Sequence, residues 1–316
     1  MDKQVDVSIV VPLYNEEDNV RELYRELISV MDGRSYEILF VNDGSSDRTA
    51  ELIREIGAED QHVVVVNFRR NFGQTAAMSA GFDYSCGDVI VTMDGDLQND
   101  PADIPKLLDK INEGNDVVAG WRFKRQDPFW SRRLPSMIAN RLISWITGVK
   151  LHDYGCTLKA FRKYVVENIK LYGEMHRFIP AIASAVGISI AEVRVNHRPR
   201  QHGTSKYGIS RTFRVILDLI TVKFLLSYSN RPIHIFGLIG LISLCLGALI
   251  SFVLVVQRQL YAMPLADRPM LLLAILLIFI GIQFVTFGLI SELQIRTYHE
   301  SQNKPIYYVK EVIRRP

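Results

Sequence analysis

Two stretches of this chain contain no Asp, Glu, Lys, Arg or His: Ile235–Val256 and Met270–Ser291, each 22 residues long. About 20 apolar residues in a helix cross the hydrocarbon core of a bilayer. The two runs therefore predict a pair of transmembrane helices. Averages hide them: the 316 residues are 48% hydrophobic and 22% charged, with a net charge of +3. That composition excludes disordered, collagen-like and low-complexity classes. Neither run has an interior acid or base, which argues against a proton-coupled transporter. The segment between them, 257–269, holds two Arg and one Asp, whereas the outer flanks carry Lys223, Arg231, Arg296, Lys304, Lys310, Arg314 and Arg315. The positive-inside rule then places both ends in the cytoplasm and the short loop outside, in a multi-pass protein of the cell (inner) membrane. Met1–Asp6 is polar and the apolar stretch after it is short, so no cleavable signal is expected. The three cysteines, Cys86, Cys156 and Cys245, have neither disulfide nor metal spacing.

The first 120 residues read differently. Short apolar runs at Val7–Leu13, Tyr36–Val41, His62–Phe68, Asp88–Met93 and Asp116–Gly120 alternate with amphipathic stretches at Glu16–Met31, Asp47–Ile56, Gln74–Ser85 and Pro101–Glu113. Strands that are Val- and Ile-rich throughout, with helices between them, predict an α/β fold with a mostly parallel sheet buried on both faces. Ligands of such sheets bind outside the carboxyl ends of the strands. The residues following each run are therefore the candidates for chemistry.

Farther on, Trp130, Leu134, Met137, Ile138, Leu142, Trp145 and Ile146 share one helical face beside Arg132, Arg133 and Arg141. A helix over about 130–147 either packs on the sheet or lies in a lipid headgroup region, and both readings stand. A strand is expected at Ser189–His197 and a long amphipathic helix just before the first span. Between Arg198 and Arg231 there are seven Lys or Arg and one Asp, a charge pattern suited to anionic lipid. The expected organisation is a catalytic domain at 1–207, a juxtamembrane helix at 208–231, two spans with their loop at 232–295, and a tail at 296–316. No internal repeat is visible.

Asp94-Gly95-Asp96 ends the fourth run. Two carboxylates two residues apart can converge on one hard cation, Mg²⁺ or Mn²⁺, which keeps substrate phosphates in its shell; a plain helix-capping turn is the bland alternative. Asp43 follows the second run and can accept a base N–H or a ribose hydroxyl. Arg122, Lys124, Arg125, Arg132 and Arg133 form a basic cluster able to bind phosphate oxygens. No Gly-x-Gly-x-x-Gly follows the first strand and no Gly-Lys-Ser/Thr loop exists, so dinucleotide-oxidoreductase and P-loop readings lose their support.

Taken together, Pro12-Leu13-Tyr14-Asn15-Glu16, Asn42-Asp43-Gly44-Ser45-Ser46-Asp47, Arg70-Asn71-Phe72-Gly73 and Asp94-Gly95-Asp96-Leu97-Gln98 resemble the family 2 glycosyltransferases of the GT-A fold. The two C-terminal runs narrow the resemblance to the polyisoprenyl-phosphate branch, which includes dolichol-phosphate-mannose-synthase-like enzymes. Asp153–Arg162, Gly203-Thr204-Ser205-Lys206-Tyr207 and Val312-Ile313-Arg314 look most like the bacterial undecaprenyl-phosphate formamido-arabinose transferases.

The resemblance implies a sugar nucleotide donor, a polyisoprenyl phosphate acceptor in membrane lipid, and Mg²⁺ or Mn²⁺ on Asp96 and Gln98. Catalytic roles would fall to Asp94, Asp96, Arg122 and Asp153. The donor would lie against Pro12, Tyr14, Glu16, Asp43, Asn71, Gly73 and Asp94. The lipid phosphate would lie against Arg122, Arg132, Ser136, Arg200 and Lys206. Relatives include tetramers, and no nucleic-acid partner is expected. The family usually has Ala where this chain has Gly95, and some relatives carry an Asp at the place of Cys156. The Gln-x-x-Arg-Trp of processive polysaccharide synthases is absent. A different acceptor, a glycolipid or a glycan, remains the alternative within enzymes. A non-catalytic nucleotide-binding scaffold is the alternative outside them.

Overall fold

The computed structural model describes residues 5–123, 137, 140–141, 143–144, 147–169, 171, 175–185, 187–199, 233–261, 268–301 and 307–315. Most of the expected helix at 130–147 and all of the one at 208–231 lie outside these residues. The chain forms two compact units, Met1–Val222 with Pro305–Pro316, and Lys223–Lys304.

The first unit is built on an eight-stranded sheet. Its strands are β1 (Val7–Leu13), β2 (Tyr36–Asn42), β3 (Val63–Phe68), β4 (Val89–Thr92), β5 (Val117–Arg122), β6 (Lys159–Arg162), β7 (Ile190–Val195) and β8 (Val309–Ile313), in the spatial order β7-β5-β6-β4-β1-β2-β3-β8. β1 pairs in parallel with β2 and β4, β2 with β3, and β5 with β7. The helices are α1 (Val20–Val30), α2 (Thr49–Glu59), α3 (Gln74–Tyr84), α4 (Ile104–Asn112), α5 (Lys163–Glu167) and α6 (Ile179–Ala185).

Alternate side chains of a strand face opposite ways. Val7, Ile9, Val11 and Leu13 of β1 join Leu23 and Leu27 of α1, Ile53 of α2, and Leu107 and Ile111 of α4 in one core. Val10 points to the other face, where Gly81 of α3 meets it. Both faces of β1 are thus covered, which is why it reads as an unbroken apolar run.

Two strands carry no such signal. β6, Lys-Ala-Phe-Arg, is four residues long and runs antiparallel between β4 and β5. β8, Val-Lys-Glu-Val-Ile, lies beyond the second apolar run and pairs antiparallel with β3. The segment expected as a tail at 296–316 therefore contains the end of a helix and an edge strand of the sheet.

The second unit is a pair of helices, α7 (Ile233–Tyr261) and α8 (Pro269–Ser301). Phe236–Leu260 and Pro269–Ile290 are long and apolar enough to cross a bilayer, with mean hydropathies of 2.8 and 2.7. α7 runs to Tyr261, into the segment expected as the connecting loop. The outward side chains Leu241, Leu249, Phe252, Leu272 and Phe279 stay exposed, while Leu254 and Ala274 are buried. Small residues set the contact between the helices, as is common in membrane pairs. A Cβ on Gly240 would lie 2.8 Å from the Gly281 carbonyl oxygen, and one on Gly247 would lie 2.8 Å from that of Ala274. Gly281→Leu should force the pair apart and cost about 1–3 kcal/mol, as overpacking does. A lowered melting midpoint of the detergent-solubilised protein, with Leu272→Ala near wild type, is the expected result.

Candidate active site

The carboxyl ends of β1, β2, β3, β4 and β5 lie along one edge of the sheet, and the loops leaving them are tied to one another. After β1, Asn15 adopts a left-handed backbone with φ of 53°. Its Oδ1 accepts the Ser46 N–H at 2.8 Å, and its own N–H donates to Ser45 Oγ at 2.9 Å. The Glu16 N–H donates to Thr49 Oγ1 at 2.9 Å, and Glu16 Oε2 accepts from Asn19 Nδ2 at 2.7 Å. Pro12 closes in on the end of β1, half-buried, and Tyr14 stands exposed beyond it.

Asp43 is buried at the end of β2. Its carboxylate accepts the Phe72 N–H at 2.6 Å and the Gly73 N–H at 2.9 Å. Burial pushes its pKa up, and the two N–H groups pull it partly back. Asp43 thereby holds the Arg70–Gly73 loop against the β2 loop, with Asn71 exposed at its tip. Gly44 makes this approach possible. It has φ of 68°, and a Cβ there would lie 2.4 Å from the Arg70 carbonyl carbon. A role for Asp43 in reading a base must use the lone pairs left by these two bonds.

At the end of β4, Asp94 Oδ1 accepts from Gln74 Nε2 at 2.7 Å, and Oδ2 accepts from the Thr157 hydroxyl. Asp96 is buried and its Oδ1 accepts the Gln98 N–H at 3.2 Å. The turn between them puts Leu97, fully buried, at φ of 59°. A non-glycine residue held there is strained, and such strain concentrates at functional sites. Among the described residues no group of three or more His, Cys, Asp or Glu is arranged for a metal. The donors present, two carboxylates and an amide, are hard oxygen ligands. They suit Mg²⁺ or Mn²⁺, which take one or two protein carboxylates and complete their shell with phosphate and water.

Arg122 ends β5 and is committed to Asp153. Its Nε donates to Oδ2 at 2.7 Å and its Nη2 to Oδ1 at 2.9 Å, with both side chains largely buried. Burial opposes the charge on Arg122, but the Asp153 carboxylate overrides it and raises the guanidinium pKa; the charge of Asp94 adds to this. The Gly155 N–H donates to Asp153 Oδ1 at 3.1 Å, and a Cβ on Gly155 would lie 3.1 Å from Arg122 Nη2. The expected roles of Asp153 as a catalytic group and Arg122 as a phosphate ligand are thus coupled: each side chain occupies the other. The Asp153 carboxylate orients Arg122, whose guanidinium keeps the two Nη1 N–H groups and one on Nη2 outside this pair.

Four residues at this site were not singled out from the sequence: Gln74, Thr157, Lys159 and His176. The first two hold Asp94. Lys159 is fully buried and donates to the carbonyls of Cys156 and Tyr154, and burial lowers its pKa. His176 is buried, bonded through Nδ1 to Thr75 Oγ1 at 2.7 Å, and desolvation holds its pKa well below 6.5. Thr157 and Lys159 lie within the Asp153–Arg162 segment quoted for the family resemblance and Gln74 directly follows another, but no spacing rule marks them. Cys156 is buried and its thiol is pushed up to about 11 by burial, so it stays protonated and cannot act as a base near neutral pH. Arg132, Ser136, Arg200 and Lys206 lie outside the described residues.

A strand-end edge carrying Asp-x-Asp, on a sheet with this order, defines a GT-A glycosyltransferase domain. The Glycosyl transferase family 2 profile matches residues 8–170, and the chain belongs to that family. It is 44% identical over 316 residues to the dodecaprenyl-phosphate galacturonate synthase of Rhizobium johnstonii, covering 98% of this chain and 94% of that protein. It is 38% identical to the undecaprenyl-phosphate 4-deoxy-4-formamido-L-arabinose transferase of Klebsiella pneumoniae, with the same 98% and 94% coverage. Among solved structures, the mannosyl-3-phosphoglycerate synthase of Rubrobacter xylanophilus superposes with a TM-score of 0.58 at 18% identity, over 70% of this chain and 74% of that one. The glucosyl-3-phosphoglycerate synthase of Mycobacterium tuberculosis, crystallised with Mn²⁺, UDP and glucosyl-3-phosphoglycerate, has a TM-score of 0.56 at 18% identity, over 70% of this chain and 80% of that one.

Two measurements check this geometry. Removing one partner of a buried ion pair costs about 3–5 kcal/mol, whereas replacing both by apolar groups can be neutral. Asp153→Ala should therefore unfold far more easily than wild type, and Arg122→Met/Asp153→Leu should recover much of the melting midpoint while remaining inactive. His176 stays neutral when folded, so below pH 6.5 the unfolded chain binds the proton first and stability falls, by up to about 1.4 kcal/mol per pH unit. The stability advantage of wild type over His176→Gln should accordingly shrink as pH drops from 7 to 5.

Proposed function

We propose that this glycosyltransferase moves a sugar from a nucleotide donor, UDP-linked on our reading, to the phosphate of a polyisoprenyl lipid such as undecaprenyl phosphate. The observation that carries the proposal is the full-length similarity to two polyprenyl-phosphate sugar transferases, which extends through both apolar helices.

The donor would lie on the strand-end edge, against Pro12, Tyr14, Glu16, Asn71 and Gly73, with Asp43 shaping the loop that receives the nucleotide. Asp94 would contact the sugar nucleotide. Asp96 and Gln98 would hold Mg²⁺ or Mn²⁺, which when bound offsets charge on the nucleoside diphosphate. Arg122 would orient the acceptor phosphate, joined by Arg132, Ser136, Arg200 and Lys206.

The acceptor needs no protein base. A phosphate monoester has a second pKa near ~6 and is largely dianionic at neutral pH. A phosphate oxygen attacks the anomeric carbon, the bond from that carbon to the diphosphate oxygen breaks, and the nucleoside diphosphate leaves with the electron pair. One displacement inverts the anomeric centre. The protonated Cys156 thiol and the Arg122-bound Asp153 are in keeping with a site that orients rather than deprotonates.

The basic flanks favour a cytoplasmic catalytic domain and cytoplasmic termini. Membership of β8 in the same sheet as β1 supports that arrangement, because the chain must leave and re-enter on one side of the bilayer. The domain limits proposed are 1–207 for catalysis, 208–231 for the juxtamembrane helix and 232–295 for the spans.

The test is a panel of UDP- and GDP-sugars with undecaprenyl phosphate, read by mass spectrometry and NMR of the lipid product. One sugar joined through one phosphate with inverted configuration is expected. EDTA should abolish transfer and Mg²⁺ or Mn²⁺ should restore it, whereas Asp96→Ala should stay at least about 100-fold slower with either metal present, the scale of losing one transition-state contact. Retained configuration, or full activity in EDTA, would refute the mechanism.

A further inference from the structure

The end of the chain reaches the donor edge. Residues 307–315 follow the second apolar helix in sequence, yet they join the sheet through β8. Glu311 ties the middle of the strand to Arg54 at 2.9 Å, and further contacts hold each end. At the far end Arg314 Nη2 donates to Glu37 Oε2 at 3.1 Å and to the Tyr84 carbonyl at 2.6 Å. At the near end the Tyr307 ring stacks on Phe68 with centroids 5.1 Å apart, and its hydroxyl donates to Asp83 Oδ2 at 2.7 Å. The Arg69 N–H donates to the Tyr308 carbonyl at 3.1 Å, and the Tyr308 ring leans on Phe72 at 6.0 Å.

Phe72 belongs to the Arg70–Gly73 loop. Its N–H is one of the two that bind Asp43, its ring meets Phe68 edge-on at 5.8 Å, and the Arg70 guanidinium sits 4.6 Å from its ring centre. Tyr308 therefore leans on the ring of the same residue whose N–H Asp43 holds. Arg69 and Phe72, the residues so held, flank Arg70 and Asn71. A half-exposed loop with few apolar contacts opens readily on its own; the Tyr308 carbonyl on Arg69 and the Tyr308 ring on Phe72 restrict that freedom before a ligand binds.

We propose that Tyr307 and Tyr308 are positioning residues of the donor site: the C-terminal strand preorganises the Arg70–Gly73 loop to receive the nucleotide. This rests on the reading of that edge as the nucleotide site. The donor site is then completed by residues that lie beyond the membrane hairpin in sequence. Truncation after Asn230 would remove part of the donor site together with the spans, so such a truncation does not isolate an anchoring role.

The experiment uses the full chain in nanodiscs and measures affinity for UDP, with GDP in parallel, and the KM values for donor and acceptor. Tyr308→Ala should weaken UDP binding and raise the donor KM about five- to tenfold, the scale of one aromatic pair, with the acceptor KM unchanged. Tyr308→Phe, which keeps the ring, should restore both values. Arg314→Gln removes contacts from the other end of the same strand; it should lower the melting midpoint and leave UDP affinity alone. Equal nucleotide affinity in wild type and Tyr308→Ala, or equal losses in Tyr308→Ala and Arg314→Gln, overturns the proposal. Wild-type protein that binds neither UDP nor GDP overturns the donor-site reading itself.

Discussion

The buried Arg122–Asp153 pair is the interaction on which the rest of the site depends. Removing two charges from water costs several kcal/mol for each ion, so the pair adds little to stability as such. What it supplies is position. Asp153 also accepts the Gly155 N–H, which fixes the turn that follows, and two residues later Thr157 donates to Asp94. Lys159 draws the carbonyls of Tyr154 and Cys156 inward from below. The 153–159 segment thus runs from the guanidinium at the end of β5 to the carboxylate at the end of β4. It then enters the sheet as β6 between those two strands. The antiparallel strand is the means by which one loop serves two strand ends.

This arrangement also sets the charge balance. Arg122 and Lys159 lie near Asp94 and Asp153, two cations among two anions, so this cluster holds no surplus positive charge for phosphates. On the proposed reaction, a diphosphate and a phosphate dianion must share the site. Their repulsion would have to be met from outside the cluster, on the proposed reading by a divalent cation held at Asp96.

Much of the fold was legible because strands buried on both faces and charge-free helices leave strong patterns. β1, β2, β3 and both apolar helices stand where periodicity places them. β6 and β8 were not legible for the opposite reason: each is five residues or fewer and contains Lys with Arg or Glu, which usually marks a loop. Neither strand is chosen by its own propensity. β6 is held by neighbours on both sides, and β8 covers the otherwise bare edge of the Val-rich β3, an edge prone to pair with other chains. At the candidate site, charged residues after apolar runs singled out Asp43, Asp94, Asp96 and Arg122 as candidates, but not what each one touches. The bonds from Asp43 to Phe72 and from Arg122 to Asp153 span 29 and 31 residues, and tertiary structure alone creates them.

Placing β8 in the sheet changes what the apolar hairpin is. A C-terminal anchor is joined to its domain once. Here residues 223–304 form a unit whose two ends both continue into the first unit, so the hairpin is an insertion within one domain rather than an appendage. Closing a loop costs only (3/2)RT ln n in entropy, so an insertion of this size is a modest burden on the fold. What it secures is a second covalent link between the membrane unit and the sheet. That link joins the sheet at β8, beside β3, the strand whose loop carries Arg70–Gly73.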